Sequence, residues 1–217
     1  MKARNDIAVM AQRAATADWD PDFFPTWPWG FRAGAELVKR FDPMAEIVWE
    51  NACGHGSGAH GLLDYFPSVI CSDLVDYGYG QVHDFLSDAP APVAAPEWII
   101  TNPPFRHAPE FVTRSLNVAT RGVAMFLPTR ALEGIARYRL LYEIAPFHIL
   151  APFSERIPLH KGRLVKKGRT ATFYSWFIWL QTRKPRGYAP ILVPIPPGTR
   201  KRLSRASDLQ FTDEGGG

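Results

Sequence analysis

Ile47-Val48-Trp49-Glu50-Asn51-Ala52-Cys53-Gly54-His55-Gly56 is an apolar run, an acid that ends it, and a glycine-rich turn. The run reads as a buried strand, because a parallel strand covered on both faces is continuously hydrophobic. Glycines in the turn permit positive φ and let backbone approach a ligand closely. In a doubly wound α/β sheet, the first strand-to-helix turn is where a nucleotide-like ligand binds. Residues 58–66 then suit a helix, and Val69-Ile70-Cys71 a second strand closed by Asp73. Asp73 lies 17 residues beyond Gly56, where a carboxylate can accept bonds from both hydroxyls of a ribose.

Two nucleotide classes fit this beginning. Gly56-Ser57-Gly58-Ala59-His60-Gly61 matches the G-x-G-x-x-G string of dinucleotide folds, but residues 51–55 separate it from the strand it should open from. The chain has no Gly-Lys-Ser/Thr sequence of a phosphate-cradling loop. S-adenosylmethionine carries no pyrophosphate and needs an acid near its amino group, which Glu50 can supply. A zinc site from Cys53, His55, His60 and Cys71 is disfavoured, since their spacing matches no usual ligand pair.

Further along, apolar strands alternate with helical segments, the pattern of an α/β domain with a mainly parallel sheet. A short strand is expected near residues 81–83. Trp98-Ile99-Ile100-Thr101 reads as another buried strand, residues 123–127 as the next, and residue 147 onward as a further one. Helices are expected over 108–120, with Pro109 in the first turn, and over 129–143. Residues 171–180 are aromatic and β-branched and read as a long strand. Residues 156–180 therefore read as a basic antiparallel hairpin, with an edge strand at Ile191-Leu192-Val193 between prolines. The end of the chain is expected to be irregular.

The sharpest feature is Asn102-Pro103-Pro104-Phe105, directly after the strand ending at Thr101. Two prolines fix the backbone and remove two donors. An amine conjugated to a heteroaromatic ring is a poor nucleophile, because its lone pair is delocalised. Acceptors from the Asn102 side chain and the Pro103 carbonyl can take both amine hydrogens and localise that lone pair. Phe105 can stack on the planar base. Such catalysis rests on positioning and charge placement.

Charge separates along the 217 residues. Residues 1–155 hold 12 Lys/Arg against 18 Asp/Glu, residues 156–207 hold 13 Lys/Arg and no acid, and the end from Asp208 holds three acids. A block this one-sided is the footprint of a polyanion-binding surface. No stretch approaches the length of a membrane span, and the N-terminus lacks the apolar region of a secretory signal, so the expected address is cytoplasmic. Two cysteines suggest no disulfide framework.

Taken together, these motifs in this order resemble the adenine-specific DNA methyltransferases of the gamma arrangement, over about residues 23–180. The resemblance implies a Rossmann-like class I methyltransferase fold, with a doubly wound, mostly parallel seven-stranded sheet and a C-terminal antiparallel hairpin. It implies S-adenosyl-L-methionine as cofactor and DNA as partner. Phe24-Pro25-Thr26 resembles the family's N-terminal cofactor motif. Glu50, Ala52, Cys53, Gly54 and Gly56 match its glycine turn, with Asn51 where the family has proline. Asp73 matches the ribose acid, Asp84-Phe85 the pair that contacts the cofactor adenine, and Asn102, Pro103, Pro104 and Phe105 the catalytic tetrad. Arg156, Lys161, Arg163, Lys166, Lys167 and Arg169 would suit phosphate contacts, which position without specifying sequence. The implied organisation is an extension at 1–22, a methyltransferase domain at 23–195 and a basic, then flexible tail at 196–217. The same chemistry would also serve adenine in RNA or a glutamine amide in protein. A non-catalytic nucleic-acid-binding module on this fold is a further alternative, against which the intact tetrad speaks.

Overall fold

The computed structural model describes residues 22–166, 171–181 and 189–212. Among them are strands β1 (Ile47–Glu50), β2 (Ser68–Asp73), β3 (Gln81–Val82), β4 (Trp98–Thr101), β5 (Gly122–Pro128), β6 (Ile149–Pro152), β7 (Tyr174–Leu180) and β8 (Ile191–Leu192). They form one sheet in the order β3-β2-β1-β4-β5-β7-β6-β8. β1 pairs in parallel with β2 on one side and β4 on the other. β7 is antiparallel to both β5 and β6. The strand order therefore reverses between β1 and β4, and the crevice at such a reversal is where α/β sheets bind ligands.

The expected class holds, with two corrections. The sheet has eight strands rather than seven, β8 lying parallel to β6 at the outer edge. The antiparallel arms are β6 and β7, so pairing begins at Ile149, and among the described residues Arg156, Lys161, Arg163 and Lys166 lie between the arms. The reason is burial. Every residue of β7 is buried, and a strand rich in Lys and Arg could not join it without burying unpaired charge.

Side chains of the central strands alternate between two cores. Trp98, Ile100, Ala124, Phe126, Trp176 and Ile178 face one layer, and Ile99, Val123, Met125, Phe177 and Trp179 the other. Helix α1 (Pro28–Phe41) covers the first face. It starts at Pro28, whose missing N–H costs nothing at the first helical position, and ends with Lys39 and Arg40 against the negative end of its dipole. Short α2 (Ser57–Leu62) follows the glycine turn, beginning after Gly56 at φ 87°. On the opposite face, α3 (Ala108–Val118) buries Phe111 and Val112.

The helix expected over 129–143 is broken into pieces. A 3-10 turn (Thr129–Leu132) is followed by Gly134 at φ 110°, then α4 (Ile135–Tyr138) and a π-helical turn (Arg139–Ile144). The chain end is also more ordered than expected. α5 (Thr199–Leu203) and a 3-10 segment (Ala206–Phe211) pack on the α1 side, anchored by Asp208, whose carboxylate receives both terminal nitrogens of buried Arg32 at 2.8 and 2.9 Å. Among the described residues no helix is long and apolar enough to cross a membrane.

Candidate active site

The carboxyl ends of β1, β2 and β4 open into one cleft. Phe24, Thr26, Glu50, Cys53, Asp73 and Asn102 are among its lining residues. The turn after β1 is held by its neighbours: Cys53 N–H donates to Ser72 O at 3.0 Å, and Gly54 N–H to Asp73 Oδ2 at 2.8 Å. Val75 N–H donates to the other Asp73 oxygen at 3.1 Å. Burial pushes the Asp73 carboxyl up, opposed by the N–H of Gly54.

Glu50 is 2% exposed, and its Oε2 has no hydrogen-bond partner among the described residues. Burial, with Cys53 and Asp73 nearby, holds its carboxyl well above the usual carboxylate range, and the Ala59 N–H only partly offsets this. Gly58 makes the close approach possible, since a Cβ there would stand 2.4 Å from Glu50 Oε1 and 2.6 Å from the Phe31 ring. An unpaired buried carboxylate oxygen is costly, and a bound cationic or hydrogen-donating group would relieve it.

Asn102 ends in a defined orientation. Its Nδ2 donates to Phe24 O at 2.7 Å and to Thr26 Oγ1 at 2.9 Å. Phe24 O is only an acceptor, so the amide cannot be reversed without losing that bond. The Oδ1 is left buried with no partner among the described residues. Thr26 O in turn accepts from Ser57 Oγ at 2.9 Å, tying the Phe24-Pro25-Thr26 segment to α2. The 24–26 segment therefore links Asn102 to the start of α2, joining three distant stretches of sequence.

Not every expected residue lines this cleft. Ala52 and Pro104 do; Pro25 does; Gly54 and Gly56 form its turn but do not line it. Gly54 and Gly56 adopt φ 53° and 87°, and a Cβ on either would strike the ring of Phe23 or of Tyr79. Phe85, expected to flank a cofactor ring, does not line the cleft. It is buried among Trp49, at 5.2 Å, and Phe111, at 5.0 Å, because an apolar ring beside the second core gains more from packing there. Asp84 is buried beside it and accepts from Leu86 N–H at 3.0 Å. Pro103 is buried, and Phe105 lines a neighbouring cleft, its ring 5.8 Å from Phe24 and 6.1 Å from Tyr174.

Arg156, Lys161, Arg163 and Lys166 are exposed in the β6–β7 loop, which reaches the cleft where Gly162 N–H donates to Phe23 O at 2.8 Å. Lys167 and Arg169 lie outside the described residues. Several cleft residues escaped the sequence reading, two aromatic ones among them. Phe23 and Tyr77 stack at 4.4 Å over the turn, and both line the cleft. The alternation Tyr77-Gly78-Tyr79-Gly80, with both glycines at positive φ, was the signal that could have found one of them.

Strand order, the antiparallel seventh strand and a cleft at the reversal define the Rossmann-like class I methyltransferase fold. Among solved structures sharing it is a protein from Listeria monocytogenes assigned as a class I S-adenosylmethionine-dependent methyltransferase. It matches at TM-score 0.61 and 11% identity, over 98% of this chain and 78% of that one. The methyltransferase subunit of a type I restriction-modification system from Streptococcus thermophilus matches at TM-score 0.57 and 11% identity, over 83% and 51%. A modification subunit assigned to a type I restriction enzyme from Vibrio vulnificus YJ016 matches at 0.53 and 14%, over 91% and 55%. The chain thus spans about half the length of these two subunits. No family model and no curated protein matches the chain. At such identities the likeness is one of fold.

Proposed function

We propose that the chain is an S-adenosylmethionine-dependent N-methyltransferase that acts on the exocyclic amine of adenine in DNA. The observation that carries this reading is Asn102, whose amide nitrogen is engaged by Phe24 O and Thr26 Oγ1 while Oδ1 stays a buried, unpaired acceptor beside the cleft. An acceptor fixed in this way suits an N–H of a conjugated amine. It costs no reorganisation when the amine gains positive charge during transfer.

The residues present fit the cofactor. Glu50 would face its amino group, relieving the unpaired Oε2, and Asp73 its ribose. Phe24, Pro25, Thr26, Ala52 and Cys53 would complete the cleft, with Gly54 and Gly56 shaping the turn and Asp84 toward the adenine amine. When bound, S-adenosylmethionine supplies an electrophilic methyl on a sulfonium. Asn102 Oδ1 and the Pro103 carbonyl hold the target amine, and Phe105 stacks on its ring. The likeness to restriction-modification subunits and the basic loop on the same rim favour DNA as substrate.

Tritiated methyl transfer to DNA, RNA and protein separates the substrates, with DNA expected to be labelled. Asn102→Ala is expected to lower transfer at least about a hundredfold, the scale of losing a preorganised donor or acceptor in a transition state, while calorimetry still detects cofactor binding. Wild-type turnover by this variant would overturn the assignment of Asn102. Label confined to RNA or protein would redirect the substrate.

A further inference from the structure

A second cleft adjoins the tetrad at Phe105 and shares Arg106 with the first. It lies between the first turn of α3 and the broken segment after β5. Its floor is apolar, from Val112, Leu127 and Leu141, and its polar rim includes Arg106, Arg130 and Arg137. No carboxylate lines it, although Glu133 and Glu143 belong to the same segment. Phe105 is part of its wall, but Asn102, Pro103 and Pro104 are not. Asn102 and Pro104 line the first cleft instead, so Phe105 stands between the two.

Beside the cleft the segment exposes what a helix ordinarily hides. Ile135 is 93% exposed and Tyr138 56%, and the Tyr138 and Tyr142 rings lie 5.4 Å apart at 36°. Leu141 is the fully buried residue of the π-helical turn. Arg137 is held over the break by the carbonyls of Arg130 and Glu133, at 3.5 and 3.4 Å. Guanidinium groups around an apolar slot, next to exposed aromatic rings, match the two needs of an unstacked polynucleotide: phosphate neutralisation and a flat apolar surface for each base.

We infer that this second cleft and the adjoining Tyr138–Tyr142 face are a binding site for single-stranded nucleic acid, the cleft taking a base that neighbours the target. The inference rests on the proposed nucleic-acid methyltransferase reading and deepens it: the substrate strand is engaged unpaired on both sides of Phe105. Stacking on such surfaces is tolerant of base identity, so the site supplies affinity and strand preference rather than sequence selection.

The test uses the full chain, a fluorescent oligothymidylate and an abasic strand of equal length, compared by anisotropy. Thymine has no exocyclic amine, so it probes this face without serving as a methyl acceptor. Oligothymidylate is expected to bind at least about tenfold more tightly than the abasic strand, the scale of one or more stacked bases. Ala131→Trp, which fills the cleft from a half-buried wall position, and Tyr138→Ala, at an exposed site, are each expected to shrink that ratio. Arg137→Ala is expected to weaken both strands alike. Calorimetry with S-adenosylmethionine and thermal melting check that each variant is folded. Equal wild-type affinity for the two strands, no binding of either, or an unchanged ratio in both Ala131→Trp and Tyr138→Ala overturns the inference. A protein that binds the cofactor yet fails here leaves the methyltransferase reading standing, whereas one that binds no cofactor and labels no substrate overturns that reading instead.

Discussion

Glu50 ends β1 with its carboxyl buried and its Oε2 unpaired, and the fold itself favours the protonated form. For a group whose folded pKa is raised, the stabilising contribution is fully present below the ordinary glutamate value of 4.5 and is lost as pH rises through the raised value. In the proposed function cofactor binding follows the opposite sign, because the ammonium group would need the Glu50 carboxylate. Glu50→Gln is therefore expected to melt higher than wild type at alkaline pH without cofactor, with the difference closing toward pH 4.5. Wild-type affinity for S-adenosylmethionine is expected to rise with pH over the same window, while the variant binds weakly at every pH. Parallel melting curves at all pH values, or a variant that binds as tightly as wild type, would refute this account of Glu50. At this scale the sequence was informative where motif and backbone coincide. Glu50, Asp73 and Asn102 were legible because each ends a buried strand, where the sheet alone places it at the cleft. Phe85 was not, because which way a ring turns depends on the packing of Trp49 and Phe111, two residues far from it in sequence.

α1 meets the sheet through glycine. A Cβ on Gly34 would stand 2.4 Å from the Trp176 ring, and Trp176 Nε1 donates to Gly30 O at 3.1 Å in the preceding turn. Helix propensity alone would make Gly34→Ala stabilising by about 1 kcal/mol. Overpacking a rigid indole costs about 1–3 kcal/mol, so urea denaturation is expected to show a net loss, and a more stable variant would contradict this packing. The chain end is tied to the same helix. Asp208, 1% exposed, receives two Arg32 nitrogens, and Arg32 also donates to Asp64 and, at 2.9 Å, to Leu203 O. Asp208→Ala leaves that guanidinium short of a partner and is expected to cost about 3 kcal/mol; a change below about 1 kcal/mol would mean that the C-terminal segment is not part of the folded unit. Neither element was read from the sequence. The stripe Phe31, Ala35, Val38 and Phe41 has helical spacing but is interrupted by Gly30 and Gly34, whose role exists only opposite Trp176. Asp208 sits in a polar, basic stretch that reads as solvated until Arg32 is placed inside the core.

Among the described residues, a group of cations gathers at one edge of the molecule. β1, β4, β5 and β6 run in the same direction, so their carboxyl ends share a rim with the cleft, the tetrad, the second cleft and the β6–β7 loop. Arg156, Lys161, Arg163 and Lys166 are exposed along that loop, and Arg106, Arg130 and Arg137 stand beside the tetrad. The modest net charge of +4 conceals this arrangement, because the acids lie mostly in the first 155 residues, several of them buried or paired as Glu50, Asp42 and Asp84 are. A polyanion approaching from the rim therefore meets a far stronger field than net charge suggests. If the four described loop cations each neutralise one phosphate, the logarithm of affinity for single-stranded DNA should fall with the logarithm of salt at a slope of about −3. Neutralising Arg156, Lys161, Arg163 and Lys166 together should bring that slope toward zero for the loop's share while leaving cofactor affinity unchanged. The two contributions to binding then come apart: high salt removes the loop's phosphate contacts but spares the preference for a strand with bases, since stacking is not a counterion effect. A slope near zero in the wild-type protein would mean that the basic rim is not where the polyanion lies.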